Sequence, residues 1–189
     1  MDGRLGLGKA SRKLAEAKPI AFDSADNAQT CANCIDGSAA LWERLSDIAQ
    51  RNQAAPTKIL DLGGGPGEPG CHFAAKYSGT PTIASDKAPA MVEQARLRVS
   101  AKGLKNVECI VLDMQDLRAI GDGSVDLVVS SQSYQFCPDK PLALRETCRV
   151  MKSGGVAARK RLGAARYDDN MQWTYARGDR PGTGCRYRS

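Results

Sequence analysis

Short apolar runs and amphipathic stretches alternate along the middle of the chain. Lys58–Leu62, Thr80–Ser85, Val107–Leu112 and Ser124–Ser130 are apolar runs bounded by Gly, Pro or polar clusters, the pattern of strands buried in a parallel sheet. Helices are predicted between and after them, over Cys71–Tyr77, Ala88–Lys102 and Lys140–Met151. In the second of these, Met91, Val92, Ala95 and Val99 recur at helical spacing, Pro89 sits in the first turn and Gly103 marks the stop. Upstream, Gly37–Gln50 places Leu41, Trp42, Leu45, Ile48 and Ala49 on one side of a helix. Ile20–Ile35 reads as irregular, Asn52–Thr57 as a linker containing Pro56, and Met1–Pro19 as disorder or a loose first helix. Alternation of strand and helix at this spacing predicts an α/β fold with a doubly wound parallel sheet. The expected organisation is an N-terminal segment over 1–57, a ligand-binding core over 58–155 and a basic, irregular tail over 156–189.

Length and charge narrow the class. At 189 residues one domain is expected. No apolar run approaches the roughly 20 residues of a membrane span, and the N-terminus lacks the apolar core of a secretory signal. Arg4, Lys9, Arg12, Lys13 and Lys18 have an organelle-transit flavour that Asp2 and Glu16 oppose, so a cytoplasmic protein is expected with organelle targeting left open. The net charge of +6 sits almost wholly after Val156, where eight basic residues face three acidic ones. A basic tail without interleaved aromatic or groove-fitting pattern gives no convincing nucleic-acid signal. The seven cysteines are scattered and odd in number, which predicts reduced thiols. Cys31 and Cys34 form a C-x-x-C, but no second pair lies at zinc spacing and His72 is the lone histidine, so no metal is expected.

The candidate chemistry starts at Ile59–Gly70, I-L-D-L-G-G-G-P-G-E-P-G. Gly63, Gly64, Gly65 and Gly67 allow positive φ and close approach of a ligand to the backbone. Amides of the loop and of the following helix start are expected to point outward as donors. Asp61, Asp86 and Asp113 close three successive strands, and ligands of open parallel sheets sit beyond the carboxyl ends of the strands. The three carboxylates are therefore expected to rim one crevice.

The order I-L-D-L-G-G-G-P-G, I-A-S-D-K-A-P-A-M-V-E-Q-A-R, V-L-D-M-Q-D-L, V-D-L-V-V-S-S and R-V-M-K-S-G-G resembles the class I S-adenosylmethionine-dependent methyltransferases of the type 11-like group, over about Lys58–Gly155. The resemblance implies a Rossmann-like methyltransferase fold with S-adenosyl-L-methionine as cofactor. It implies that Asp61, with the backbone at Gly63, Gly65 and Gly67, holds the amino-acid end of the cofactor, and that Asp86 accepts the ribose hydroxyls. It further implies that Lys87 and Met91 flank the adenine, that Asp113 accepts from the adenine amino group beside Met114, and that Ser130, Ser131 and Gln132 border the sulfonium and the acceptor. A methyl on a positive sulfur asks mainly for alignment and exclusion of water. A base is needed only for an acceptor such as a hydroxyl. His72 is a weak candidate for that role and the catalytic residues stay unknown, while Tyr134 and Phe136 could wall the pocket of a small-molecule or lipid acceptor.

Two alternatives stand beside this reading. Gly65–Gly70 also fits G-x-G-x-x-G, the fingerprint of NAD(P)-binding oxidoreductases, although Asp61 would then bring a negative charge to the pyrophosphate. After Gly154-Gly155 the family pattern calls for a fifth strand and further strands, whereas Val156-Ala-Ala runs directly into Arg159-Lys-Arg161 and a stretch with neither period 2 nor period 3.6. This expectation is of a fold lacking its normal C-terminal strands, a truncated or frameshifted methyltransferase fragment whose cofactor motifs all precede the break.

Overall fold

The computed structural model describes residues 22–52, 55–161, 172–177 and 186–188. Expectations for residues 1–21 lie outside the described residues. Five parallel strands form the body: β1 (Ile59–Leu62), β2 (Thr82–Asp86), β3 (Val107–Val111), β4 (Val125–Ser131) and β5 (Met151–Arg161). Their spatial order is β3-β2-β1-β4-β5, so the winding reverses between β1 and β4. The helices are α1 (Ala25–Cys34), α2 (Ala39–Asn52), α3 (Gly70–Lys76), α4 (Pro89–Ala101) and α5 (Lys140–Val150). The α/β, doubly wound parallel architecture expected from the alternation is present, and β1 to β4 with α3 to α5 start and end within two residues of the expected strands and helices.

Each strand of the centre is buried on both faces, as its composition requires. Leu60 and Leu62 of β1 join Val125, Val128, Leu117 and Ala143 in one core, while Ile59 packs with Leu127, Val129, Phe73 and Leu45 in the other. Fully burying one such aliphatic side chain contributes about 1.5–3 kcal/mol, so β1 and β4 are the most firmly held elements. The β1–β4 pair is tied further by Asp126. Its carboxylate accepts from the Thr57 and Lys58 amides at 2.9–3.0 Å, from Thr57 Oγ1 at 2.6 Å and from Lys152 Nζ at 3.3 Å.

Three features differ from expectation. Ala25–Cys34 is a helix, not an irregular stretch: Ser24 caps it by accepting from the Asn27 amide at 3.2 Å, and Ala28 and Cys31 pack toward Ala88 and Met91. A helix whose inner face is so small and mixed shows little periodicity in sequence, and tertiary packing supports it. The helix before β5 ends at Val150, and β5 runs through Gly154-Gly155, where Gly154 takes φ +81°. Beyond it, β6 (Gln172–Arg177) and β7 (Arg186–Arg188) pair antiparallel on the outer edge of the sheet. Such pairing draws on free N–H and C=O groups of an edge and needs no side-chain period. After Arg161 the C-terminal part of the fold is described only as these two short strands.

Candidate functional site

The reversal between β1 and β4 opens a cleft at the carboxyl ends of the strands, and the Gly63–Pro69 turn between β1 and α3 forms its floor. The glycines of that turn serve different needs. A Cβ on Gly64 would lie 2.2 Å from Asp61 Oδ2, and one on Gly63 would lie 2.4 Å from Ser133 Cβ. At Gly65, φ is +54° and a Cβ would meet nothing nearer than Met91 Sδ at 3.9 Å, so this position faces open space.

Contrary to expectation, the loop amides do not all point outward. Gly64 N–H donates to Ser85 O at 2.9 Å, Gly65 N–H to Asp86 Oδ2 at 2.9 Å, and Gly67 and Glu68 N–H to Gly64 O at 3.1 Å. The turn is thus held by its own hydrogen bonds in a shape open on its Cα side.

The three aspartates differ in environment. Asp61 is fully buried behind Gly64: Oδ2 accepts from the Gly70 amide at 2.7 Å and Oδ1 has no hydrogen-bond partner among the described residues. Burial pushes its carboxyl well above the ordinary range, against the opposing pull of the Gly70 amide. Asp86 accepts at Oδ2 from Gly65 and at Oδ1 from Ala88, at 2.9 Å each. Its carboxyl is raised by burial, offset in part by the Ala88, Gly65 and Lys87 amides. Burial would raise Asp113 too, but hydrogen bonds from Lys87 and Gln115 outweigh it and hold that carboxyl below its usual value. The Lys87 ammonium lies 2.7 Å from Asp113 Oδ2.

One cavity of about 690 Å³ gathers most of these groups. Gly63, Gly65, Asp86, Lys87, Met91, Asp113 and Met114 line it; Asp61, Gly67 and Ser130 do not. These three are buried in this structure. Asp61 props the loop from behind, and Gly67 packs on Ala95, where a Cβ would come within 3.2 Å of its Cα. Ser130 Oγ donates to Leu62 O at 3.0 Å and pairs with Ser133 Oγ at 2.5 Å, leaving Ser131 and Gln132 at the wall. Gln132 has φ +58°, a left-handed backbone costing about 1–2 kcal/mol for a residue with a Cβ. His72 is off the cavity: it stands 3.8 Å from Glu43, and burial lowers its pKa despite that neighbour.

Sequence reasoning missed the opposite wall, where Phe22, Cys31, Ile35 and Trp42 come from the N-terminal segment. Only Trp42, on the apolar side of its predicted helix, carried a signal. Phe22 meets Phe136 edge to face at 5.1 Å, so of the two aromatics expected at the acceptor pocket Phe136 is on the wall and Tyr134 is packed beneath, bonded to Thr147 at 2.6 Å. Cys31 and Cys34 are free thiols, as are Cys71, Cys109 and Cys137, whereas Cys148 is disulfide-bonded, which corrects the expectation of reduced thiols at that position. Among the described residues there is no cluster of three or more potential metal ligands and no helix long and apolar enough to cross a membrane.

The decisive comparison is with protein families: residues 59–155 match the methyltransferase domain family. The chain belongs to that family. The matched span contains the glycine turn and every lining aspartate beyond the N-terminal segment. Among curated proteins, a malonyl-(acyl-carrier protein) O-methyltransferase of Halorhodospira halophila is 34% identical over 61% of this chain and 37% of its own length. An aklanonic acid methyltransferase of Streptomyces is 34% identical over 62% of this chain and 53% of its own length. The chain thus spans about half or less of the length of these relatives. A crystal structure from Methanococcus maripaludis, described as an S-adenosyl-L-methionine-dependent methyltransferase, superposes with TM-score 0.67 at 26% identity, covering 75% of this chain and 65% of that one. The cofactor of the family is S-adenosylmethionine, and the methyltransferase domain fits it. An open Cα surface at Gly65, a carboxylate with unused lone pairs at Asp86 and a polar-apolar pair at Asp113 and Met114 lie around one cavity.

Proposed function

We propose that this protein transfers the methyl group of S-adenosylmethionine to a small-molecule or lipid acceptor with an apolar body. The observation that carries the reading is the convergence of Gly63, Gly65, Asp86, Asp113 and Met114 on one cavity at the sheet's reversal point. Asp86 Oδ2 accepts from Gly65 and Oδ1 from Ala88, so the carboxylate can offer its remaining lone pairs to the ribose hydroxyls while still holding the loop. Asp113 accepts from the adenine amino group and Met114 offers an apolar face, with Lys87 and Met91 flanking the base. Gly63 and Gly65 let the amino-acid end lie against bare backbone, and Asp61 acts on it only through the turn it supports.

Bound there, the cofactor supplies an electrophilic methyl on a sulfonium; the chain's own contribution is to align the acceptor and keep water out. Phe22, Ile35, Trp42 and Phe136 make the remaining wall apolar. Lys87, which lines the cavity, is already bonded to Asp113, so an acceptor is better held by its apolar body than by a charge. His72 stands off the cavity, and an acceptor that arrives nucleophilic, such as a carboxylate, thiolate or amine, needs no base. The relatives named for malonyl-(acyl-carrier protein) and aklanonic acid support an acceptor outside nucleic acid. The family match gives no support to the NAD(P) alternative.

The test has two arms. S-adenosylhomocysteine, and not NADH, is expected to raise the thermal unfolding temperature, and labelled cofactor is expected to pass its methyl to an organic-extractable product in a cell extract. Protection by NADH alone would refute the cofactor; label confined to nucleic acid, or to protein from which thioester cleavage releases none of it, would refute the acceptor class.

A further inference from the structure

We propose that Arg98 is a positioning residue that joins the roof of the cavity to the glycine turn beneath it, so that binding of the cofactor on the turn also orders helix α1 above. The inference rests on reading the cavity as the S-adenosylmethionine site. Arg98 projects from α4, and its side chain is only 12% exposed. Nε donates to Pro66 O at 3.0 Å, inside the glycine turn, and Nη2 donates to Ala32 O at 2.9 Å, in the last turn of α1. Nη1 lies 3.9 Å from Glu68 Oε1, a carboxylate 4% exposed that also takes Lys102 Nζ at 2.6 Å and the His72 amide at 2.9 Å.

These partners come from the two sides of the cleft. Pro66 and Glu68 belong to its floor, whereas α1 carries Cys31 on the opposite wall, with Phe22 and Ile35 just before and after it, and packs through Ala28 on Ala88 and Met91. The carbonyls of a helix's last turn run out of intrahelical donors and sit at its negative end, so a buried guanidinium is favourable there. Glu68 neutralises the charge that would otherwise be costly to bury. The planar fork of arginine reaches acceptors in the turn and in α1 at once. A lysine ammonium on a flexible stem keeps the charge but not that geometry. Any ligand that fixes Pro66 through the turn therefore also fixes Arg98, and through it α1.

Amide hydrogen exchange with and without S-adenosylhomocysteine tests this. In the wild-type protein the ligand is expected to slow exchange at residues 25–34 as well as at 63–70. Arg98→Lys is expected to keep the protection at 63–70, lose it at 25–34, and bind about tenfold more weakly. Lys102→Met shares Glu68 but touches neither Pro66 nor Ala32, and is expected to keep both protections. Protection confined to 63–70 in the wild type overturns the proposal without any variant, and so does an Arg98→Lys protein with wild-type affinity and wild-type protection at 25–34. If the wild type fails to bind S-adenosylhomocysteine at all, the cofactor reading itself falls, and the coupling with it.

Discussion

Asp86→Asn tests the proposed ligand role of this carboxylate, and it also removes the acceptor of one of the two backbone amides, Gly65 or Ala88, that the carboxylate holds. In the free protein Oδ1 accepts from Ala88 and Oδ2 from Gly65, both at 2.9 Å, which leaves the remaining lone pairs for the ribose hydroxyls. Asparagine retains one oxygen and places an NH2 where the other stood. One ribose hydroxyl then loses its acceptor, and the other faces a neutral oxygen in place of a charged one. A hydrogen bond to a charged group contributes about 1.5–3 kcal/mol. At 1.4 kcal/mol per decade this predicts S-adenosylhomocysteine binding roughly 10- to 150-fold weaker by calorimetry at pH 7. The pH dependence adds a second signature. Burial raises the Asp86 carboxyl, so the acceptor form is lost on acidification before an ordinary aspartate titrates, and wild-type affinity falls in that window. Over the same window Asp86 binds protons more readily folded than unfolded, so its own contribution to stability rises as pH falls. The protonation of Asp86 itself therefore weakens binding without destabilising the fold. The acidic limb should be absent in the Asn variant. An affinity within twofold of wild type, or an unchanged acidic limb, would refute the ribose role.

Two further predictions concern the scaffold. Gly64→Ala drives a Cβ to 2.2 Å from Asp61 Oδ2, so either the turn shifts or Asp61 leaves the Gly70 amide. Overpacking and the loss of a buried hydrogen bond together predict a cost of about 3 kcal/mol in urea unfolding. Asp126→Ala strips acceptors from the Thr57 and Lys58 amides, Thr57 Oγ1 and Lys152, predicting a loss of about 3 kcal/mol at pH 7. Burial opposes but does not cancel the hydrogen bonds that hold the Asp126 carboxyl below its ordinary value. Its contribution is therefore present above an unfolded pKa of about 3.9 and lost as pH falls through the lower folded value. Urea titrations at pH 7 and pH 3 should show the variant and wild type converging at the lower pH.

What could be read from sequence was whatever a local pattern carries. The strands were legible because β1 and β4 are buried on both faces and must be apolar throughout, and α4 because Pro89 and Gly103 punctuate a clear 3.6 period. The positions of Asp61, Asp86 and Asp113 at strand ends were legible for the same reason. What their side chains do was not, since Asp61 is fully buried and Asp86 only partly so, a difference that no spacing encodes. The opposite wall was the largest miss. Cys31 belongs to, and Phe22 just precedes, a helix stabilised by contacts with Ala88 and Met91, and Arg98 earned no notice because one arginine on a helix normally reads as solvated surface. β6 and β7 were invisible because backbone pairing on the edge of β5 leaves no mark on hydrophobic period.

The row of aspartates that first suggested a ligand crevice is better understood as three levels of one construction. Asp61, deepest and raised well above the ordinary carboxylate range, sits under Gly64 and Gly70 where any Cβ would strike it, so it fixes the path of the turn. Asp86, half-buried, bonds that turn through Gly65 and retains capacity toward the cavity, so the same carboxylate is both strut and acceptor. Asp113, nearest solvent and held ionised by Lys87 and Gln115, has the least structural duty and the most freedom to exchange partners. Burial decides the division: desolvation makes a carboxylate expensive to ionise but rigid, and exposure makes it available but weakly placed. If Asp86 takes the ribose as proposed, a cofactor that must be held there and still leave after turnover suits the intermediate case, and the Asp86 variant is then expected to lose more affinity than variants of Asp61 or Asp113 that keep the fold.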